Sequence, residues 1–203
     1  MIPSFPASMF PIVQHKVAAM FELAVDVLGH PMNEFAALFA SSSIGHGFES
    51  GDPIVVFGKS ANELVGLLLG EEPLDQELNE EGSPEYWVGY VLSLAQWRLN
   101  RPYKELMEAI PCDELLFSYF PYHEMDPERV VELFRKRMNL KCPLAFYREK
   151  RGWSQSDLAL ISEVPIRVIR AYEQGSVDIA KAHGDTLFAL AKALGCHIED
   201  LIR

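Results

Sequence analysis

Two stretches of this sequence hold residue types that could do chemistry. Tyr122-His123-Glu124-Met125-Asp126 sets an imidazole beside two carboxylates. It lacks the histidine pair four residues apart on a helix through which zinc enzymes hold their metal. Asp126 also precedes Pro127 and a helical pattern, which gives it a capping role. Gly45-His46-Gly47-Phe48-Glu49-Ser50-Gly51 is glycine-rich, as a phosphate-cradling loop would be. No clear strand leads into it, no helix follows directly, and Glu49 would repel a phosphate. Cys112, Cys142 and Cys196 are widely spaced with no CxxC, and read as free thiols in a reducing cytoplasm. No nucleophile–base pair stands out. The expectation is a protein that is not an enzyme and holds no metal or cofactor.

What remains is the chemistry of fixed charge. The net charge is −11, and it is unevenly spread. Residues 1–128 hold 5 basic and 20 acidic groups, a balance of −15; residues 129–151 hold 8 and 2, or +6; residues 152–203 hold 5 and 7, or −2. The acidic excess is therefore N-terminal, and a basic segment lies where it could meet phosphate. The run Arg135-Lys136-Arg137, with Arg129 and Lys141, reads equally as a brace for a polyanion or as the wet face of an amphipathic helix.

The elements that must carry these groups are helical. With 203 residues and 49% hydrophobic content, the chain can bury one large core or two small ones. No apolar run is long enough to span a bilayer, and no basic segment opens a leader peptide, so membrane and secreted classes are not expected. Helical periodicity is read over Val13–Leu28, ending near Gly29, and over Met32–Ala40. Ser41–Gly58 reads as loop, with Ile54–Phe57 the only strand-like run. Ser60 with Glu63 forms a capping box for a helix to about Leu69. Glu71–Gly82 reads as an acidic, solvated connector. Ser83 caps a helix with Pro84 at its first position, running to about Leu99. Its stripe of Tyr86, Trp87, Tyr90, Leu94 and Trp97 fits core packing, with a partner-binding groove as the other reading. Shorter helices are read over Pro102–Ala109 and Pro111–Tyr119, then one from Asp126 carrying Val130, Val131, Leu133, Phe134 and Met138. A boundary near Asn139–Pro143 divides an all-α chain into an acidic helical domain, 1–138, and a second domain, 139–203.

The second domain has the sharpest pattern. Pro143–Gly152 reads as a helix with Leu144 and Tyr147 inward. Ser154 caps the next helix, with Asp157 in its first turn. Ser162-Glu163-Val164 turns tightly, and Pro165 opens a helix to Glu173. That helix turns Ile169 and Tyr172 inward and Ile166, Arg167 and Arg170 outward. Asp185 caps Thr186–Leu194, Gly195 stops it, and Ile198, Leu201 and Ile202 lie on a last short helix. The series Arg148-Glu149, Gly152-Trp153-Ser154-Gln155, Leu158-Ala159, Val164, Ile169, Tyr172-Glu173-Gln174-Gly175 and Leu187 through Gly195 resembles the phage-repressor/Cro-like (XRE-type) helix-turn-helix family, over less than a third of the chain.

That resemblance implies a five-helix domain binding double-stranded DNA. Gln155 would touch a phosphate or an outer base, and Ile166, Arg167 and Arg170 would face the bases, with Gln174 and Lys181 completing the contact set. Arg148 and Glu173 would form a buried ion pair tying the first helix to the third. An arginine can make a bidentate contact to guanine, worth roughly 1–3 kcal/mol of discrimination, and Ile166 could meet a thymine methyl. Pro165, Ile166 and Val168 stand where many members carry polar residues, so readout rests on two arginines. A solvated helix face is the other reading of Arg167 and Arg170. The implied protein is a cytoplasmic homodimeric regulator acting on its own operon.

Residues about 30–135 resemble a bacterial domain found ahead of such modules. The carrying stretches are Phe48-Glu49-Ser50-Gly51-Asp52-Pro53, Gly58-Lys59-Ser60, Glu63-Leu64, Ser83-Pro84-Glu85-Tyr86-Trp87-Val88-Gly89 and Pro121-Tyr122-His123-Glu124-Met125-Asp126. This second resemblance implies an antitoxin role, in which the acidic domain holds a basic toxin as its protein partner.

Overall fold

A computed structural model describes residues 4–73 and 82–202. Most of the connector read over Glu71–Gly82, residues 74–81, lies outside the described residues. Among the described residues there are helices and turns and no strand, so the fold is all-α. The chain divides into two compact units, Pro3–Met138 and Asn139–Arg203.

The N-terminal unit is built on α6 (Pro84–Leu99), whose buried residues run from Val88 to Leu99 on nearly every face. Ser83 caps it, its hydroxyl accepting from the Tyr86 N–H at 3.1 Å. Against it lies α1 (Phe10–Phe21), which winds on into a π-helical turn, Glu22–Val27, stopped by Gly29 at φ 75°. The helix expected from Val13 thus starts earlier, with Pro11 in the first turn where its missing N–H costs nothing. The two helices meet closely at Gly89, where a Cβ would stand 2.7 Å from Ala18 Cα.

The expectation of a loop over Ser41–Gly58 is corrected. Two short helices follow α2 (Met32–Ser41): α3 (Ser43–Ser50) and α4 (Pro53–Gly58), the latter taking up the strand-like Ile54–Phe57. The glycines serve packing instead of looping. A Cβ at Gly45 would lie 2.2 Å from the Phe39 carbonyl oxygen, and one at Gly47 2.6 Å from Val55. Ser42 caps α3, left-handed Gly51 ends it, and Asp52 with Pro53 starts α4. The Ser60–Glu63 capping box opens α5 (Ala61–Leu69) as expected.

Then come α7 (Tyr103–Ala109), α8 (Cys112–Phe117), the single turn α9 (Tyr119–Tyr122) and α10 (Glu128–Arg137). The core is aromatic: Phe21 meets Phe35 edge-on at 5.2 Å, and Phe39 meets Tyr103 at 5.0 Å. The aromatic stripe of α6 is largely spent inside this unit. Trp97 stacks on Phe10 at 4.7 Å, Trp87 meets Tyr119 at 5.6 Å, and the Tyr86 hydroxyl lies 2.6 Å from His15 Nδ1. His123 Nδ1 rests 2.9 Å from the Tyr119 carbonyl, and Asp126 accepts from the Glu128 N–H at 3.1 Å.

The C-terminal unit packs α11 (Pro143–Lys150), α12 (Gln155–Ser162), α13 (Ile166–Glu173) and α14 (Gly184–Leu194) around Leu144, Leu158, Val164, Ile169, Leu190, Leu194 and Leu201. The implied fifth helix is a single 3-10 turn, Ile198–Asp200, and another, Ile179–Lys181, lies between α13 and α14. Ser154 and Asp157 form the capping box of α12. Two boundaries shift by a residue or two. Pro165 is the N-cap of α13, not its first helical residue, and His183 precedes α14, leaving Asp185 in its first turn.

Candidate nucleic-acid interface

The turn between α12 and α13 sets their angle. Glu163 ends α12 in the left-handed region at φ 58°, a conformation costing a non-glycine residue roughly 1 kcal/mol. The Ser162 hydroxyl donates to the Leu158 carbonyl at 2.6 Å and accepts from the Val164 N–H at 3.3 Å, so the turn's polar groups are satisfied in a buried place. Leu158 before the turn and Val164 and Ile169 after Glu163 are buried in the core.

The outer face of α13 presents Arg167 and Arg170, both exposed, beside half-buried Ile166. Val168, which stands where many members of the resembled family carry a polar residue, packs against the core. Gln174 is exposed at the C-cap of α13, and its N–H donates to the Arg170 carbonyl at 2.9 Å. Lys181 is exposed on its 3-10 turn, 3.8 Å from Asp178.

Behind that face lies a brace of four side chains. Arg148 on α11 donates to Glu173 on α13 through Nε at 2.6 Å and Nη2 at 3.0 Å, and through Nη1 to the Trp153 carbonyl at 2.6 Å. The two side chains are 11% and 7% exposed, which makes this the buried pair that the resemblance implied. The hydrogen bonds that Arg148 donates to Glu173 raise the Arg148 pKa above its ordinary value, against desolvation. Gln155, opening α12, donates through Nε2 to Glu173 at 2.8 Å and accepts through Oε1 from Arg170 Nε at 3.3 Å. Gln155, expected to touch a phosphate or an outer base, is thus half-buried and engaged at both ends within the unit. No spacing signal in the sequence marks the Gln155–Arg170 contact, because it depends on the crossing angle of α12 and α13.

The basic run is largely paired within the unit that carries each residue. Arg135 lies 3.2 Å from Glu132 and Arg137 2.5 Å from Glu114, while Lys141 bonds Glu149. Arg129 and Lys136 are exposed.

A helix-turn-helix family model matches residues 144–201, under a third of the chain. Over these residues the C-terminal unit is thus similar to the XRE-type helix-turn-helix, a DNA-binding module. Neither the curated proteins nor the solved structures contain a match to the chain. Among the described residues, no helix is long and apolar enough to cross a membrane.

Proposed function

We propose that this protein is a sequence-specific regulator that binds double-stranded DNA through α13 and represses its own operon in the cytoplasm. The observation that carries the reading is the exposed pair Arg167 and Arg170 on a helix braced from behind by Arg148, Glu173 and Gln155. A helix of this width enters the major groove, and an arginine fork matches the guanine edge. Ile166 is placed for a thymine methyl, and Gln174 and Lys181 for the flanking backbone. Gln155 acts by aiming Arg170. The working form is a homodimer on a near-palindromic site, which doubles the contacts of each copy. No metal, cofactor or catalytic step belongs to this reading.

The test is selection of bound DNA from random sequence, followed by the double variant Arg167→Ala/Arg170→Ala on the selected site. Two lost bidentate contacts at roughly 1–3 kcal/mol each should reduce specific affinity by about thirtyfold to twenty-thousandfold. Unchanged sequence preference in that variant overturns the readout.

A second reading, compatible with the first, is favoured by the −15 balance of residues 1–128. The N-terminal unit would hold a basic protein, as an antitoxin holds its toxin, while the C-terminal unit autoregulates. Co-purification with the product of the adjacent gene tests it, and absence of a complex removes it.

A further inference from the structure

Phe117 and Phe120 are 85% and 81% exposed, the two most exposed large apolar side chains among the described residues of the N-terminal unit. They share a face. The Ser118 N–H bonds to the Glu114 carbonyl at 3.1 Å, Tyr122 to Ser118 at 3.2 Å and His123 to Tyr119 at 2.8 Å, so helical winding continues from α8 through α9. Spacings of four, three and four residues then align Asp113, Phe117, Phe120 and Glu124. The opposite face is anchored. Cys112 and Leu115 are buried, and Tyr119 lies between Trp87 at 5.6 Å and His123 at 4.3 Å. Nothing in the unit's packing requires the two phenylalanines to stand in water. The element that carries them is held firmly underneath.

We infer that Asp113, Phe117, Phe120 and Glu124 form a docking surface for a cationic amphipathic helix of a partner protein. This deepens the partner-binding reading above by giving it a place. The apolar centre would take the partner's apolar residues, and the bracketing carboxylates its lysines or arginines. Glu124 is well placed for this, with its side chain 85% exposed. Glu114, next to the stripe, is already paired with Arg137, and Asp113 accepts from the Asn33 amide. Charge selects the occupant. A second copy docking here would bring carboxylates against carboxylates in a unit whose residues 1–138 balance at −12, and nucleic acid or an anionic lipid surface would be repelled in the same way.

The probe is a fluorescent synthetic helix of about 18 residues with leucine and lysine at helical spacing, and its leucine–glutamate counterpart as control. Anisotropy with the full chain should show salt-sensitive binding of the first peptide and none of the second. Phe117→Ser/Phe120→Ser should weaken it by about tenfold or more, and Asp113→Asn/Glu124→Gln by several-fold. Unchanged helicity and unchanged DNA binding show that the variants remain folded. Equal binding by wild type and the phenylalanine variant overturns this surface while leaving a basic partner in place. No binding to wild type overturns both the surface and the partner reading. Loss of self-association in the phenylalanine variant, seen by sedimentation, makes the occupant a second copy and overturns the proposal.

Discussion

Replacing Glu173 with leucine should unfold the C-terminal unit far more readily than its single site suggests. The carboxylate takes three hydrogen bonds, from Arg148 Nε at 2.6 Å, Arg148 Nη2 at 3.0 Å and Gln155 Nε2 at 2.8 Å. The Arg148 side chain is only 11% exposed, so the substitution strips a buried charge of its main partner and leaves it the Trp153 carbonyl and the more distant Glu149 carboxylate at 3.6 Å. Removing one partner of such a pair costs roughly 3–5 kcal/mol. At roughly 0.05–0.15 kcal/mol per residue, a unit of this size has about 3–10 kcal/mol in total. Hydrogen exchange of the α12 and α13 amides in the full chain reads this directly. Exchange through whole-unit opening should accelerate roughly a hundred- to several-thousand-fold, at 1.4 kcal/mol per factor of ten. Arg148→Met combined with Glu173→Leu removes both charges and should restore protection to within about 1 kcal/mol of wild type, because an apolar pair of similar volume replaces a buried ion pair at little cost. A single-variant effect below about 1 kcal/mol, or a double variant as unstable as the summed singles, would refute the reasoning.

Acid should weaken the same unit. The Asp157 carboxyl is held below its ordinary value by the hydroxyl and then the N–H of Ser154, and Glu149 by Lys141. A depressed carboxyl contributes its stability in full above the unfolded value of about 4, and loses it as pH falls through the folded value. Thermal melting across a pH series should fall on that acid side, and Ser154→Ala should cost about 1 kcal/mol at neutral pH and flatten the Asp157 part of the decline. In the N-terminal unit, Gly89→Ala should lower the unfolding free energy from urea titration by about 1–3 kcal/mol and shift the midpoint down with it, since the added Cβ meets Ala18 Cα at 2.7 Å and the Val17 carbonyl oxygen at 2.9 Å, both backbone. Gly184→Ala, with nothing within 4 Å, should be neutral or stabilise by up to about 1 kcal/mol; a midpoint shift of the same size and sign at both glycines would contradict the packing argument.

The parts of the fold that were legible in the sequence are those written in local chemistry. Ser60 with Glu63, Ser83 with Pro84, and Ser154 with Asp157 mark helix starts because a short polar side chain bonds an amide two or three residues on. That geometry needs no knowledge of the rest of the chain. The Arg148–Glu173 pair was reached through a family resemblance, and its geometry bears this out. The region 41–58 was misread because a glycine forced by close helix contact looks, in sequence, like a glycine that frees a loop. Gly45 and Gly47 are small because Phe39 and Val55 press on them. Ile54–Phe57 looked like a strand for a related reason: a run of four apolar residues has no period to distinguish strand from helix. In the candidate site, Arg167 and Arg170 were legible from helical spacing. The inward turn of Val168 and the double engagement of Gln155 were not, since both depend on how α12, α13 and α14 cross.

The brace behind α13 also constrains how its recognition could diverge. Arg167 has no part in the bonds that join Arg148, Glu173 and Gln155, so the side chain there can be exchanged without disturbing the core. Arg170 is joined to that network through Gln155, and Gln155 shares the carboxylate on which the stability of the unit depends. Under the proposed reading, a lineage seeking a new operator would change position 167 freely and position 170 only together with 155. Paralogues should therefore vary singly at the first position and in pairs at the other two.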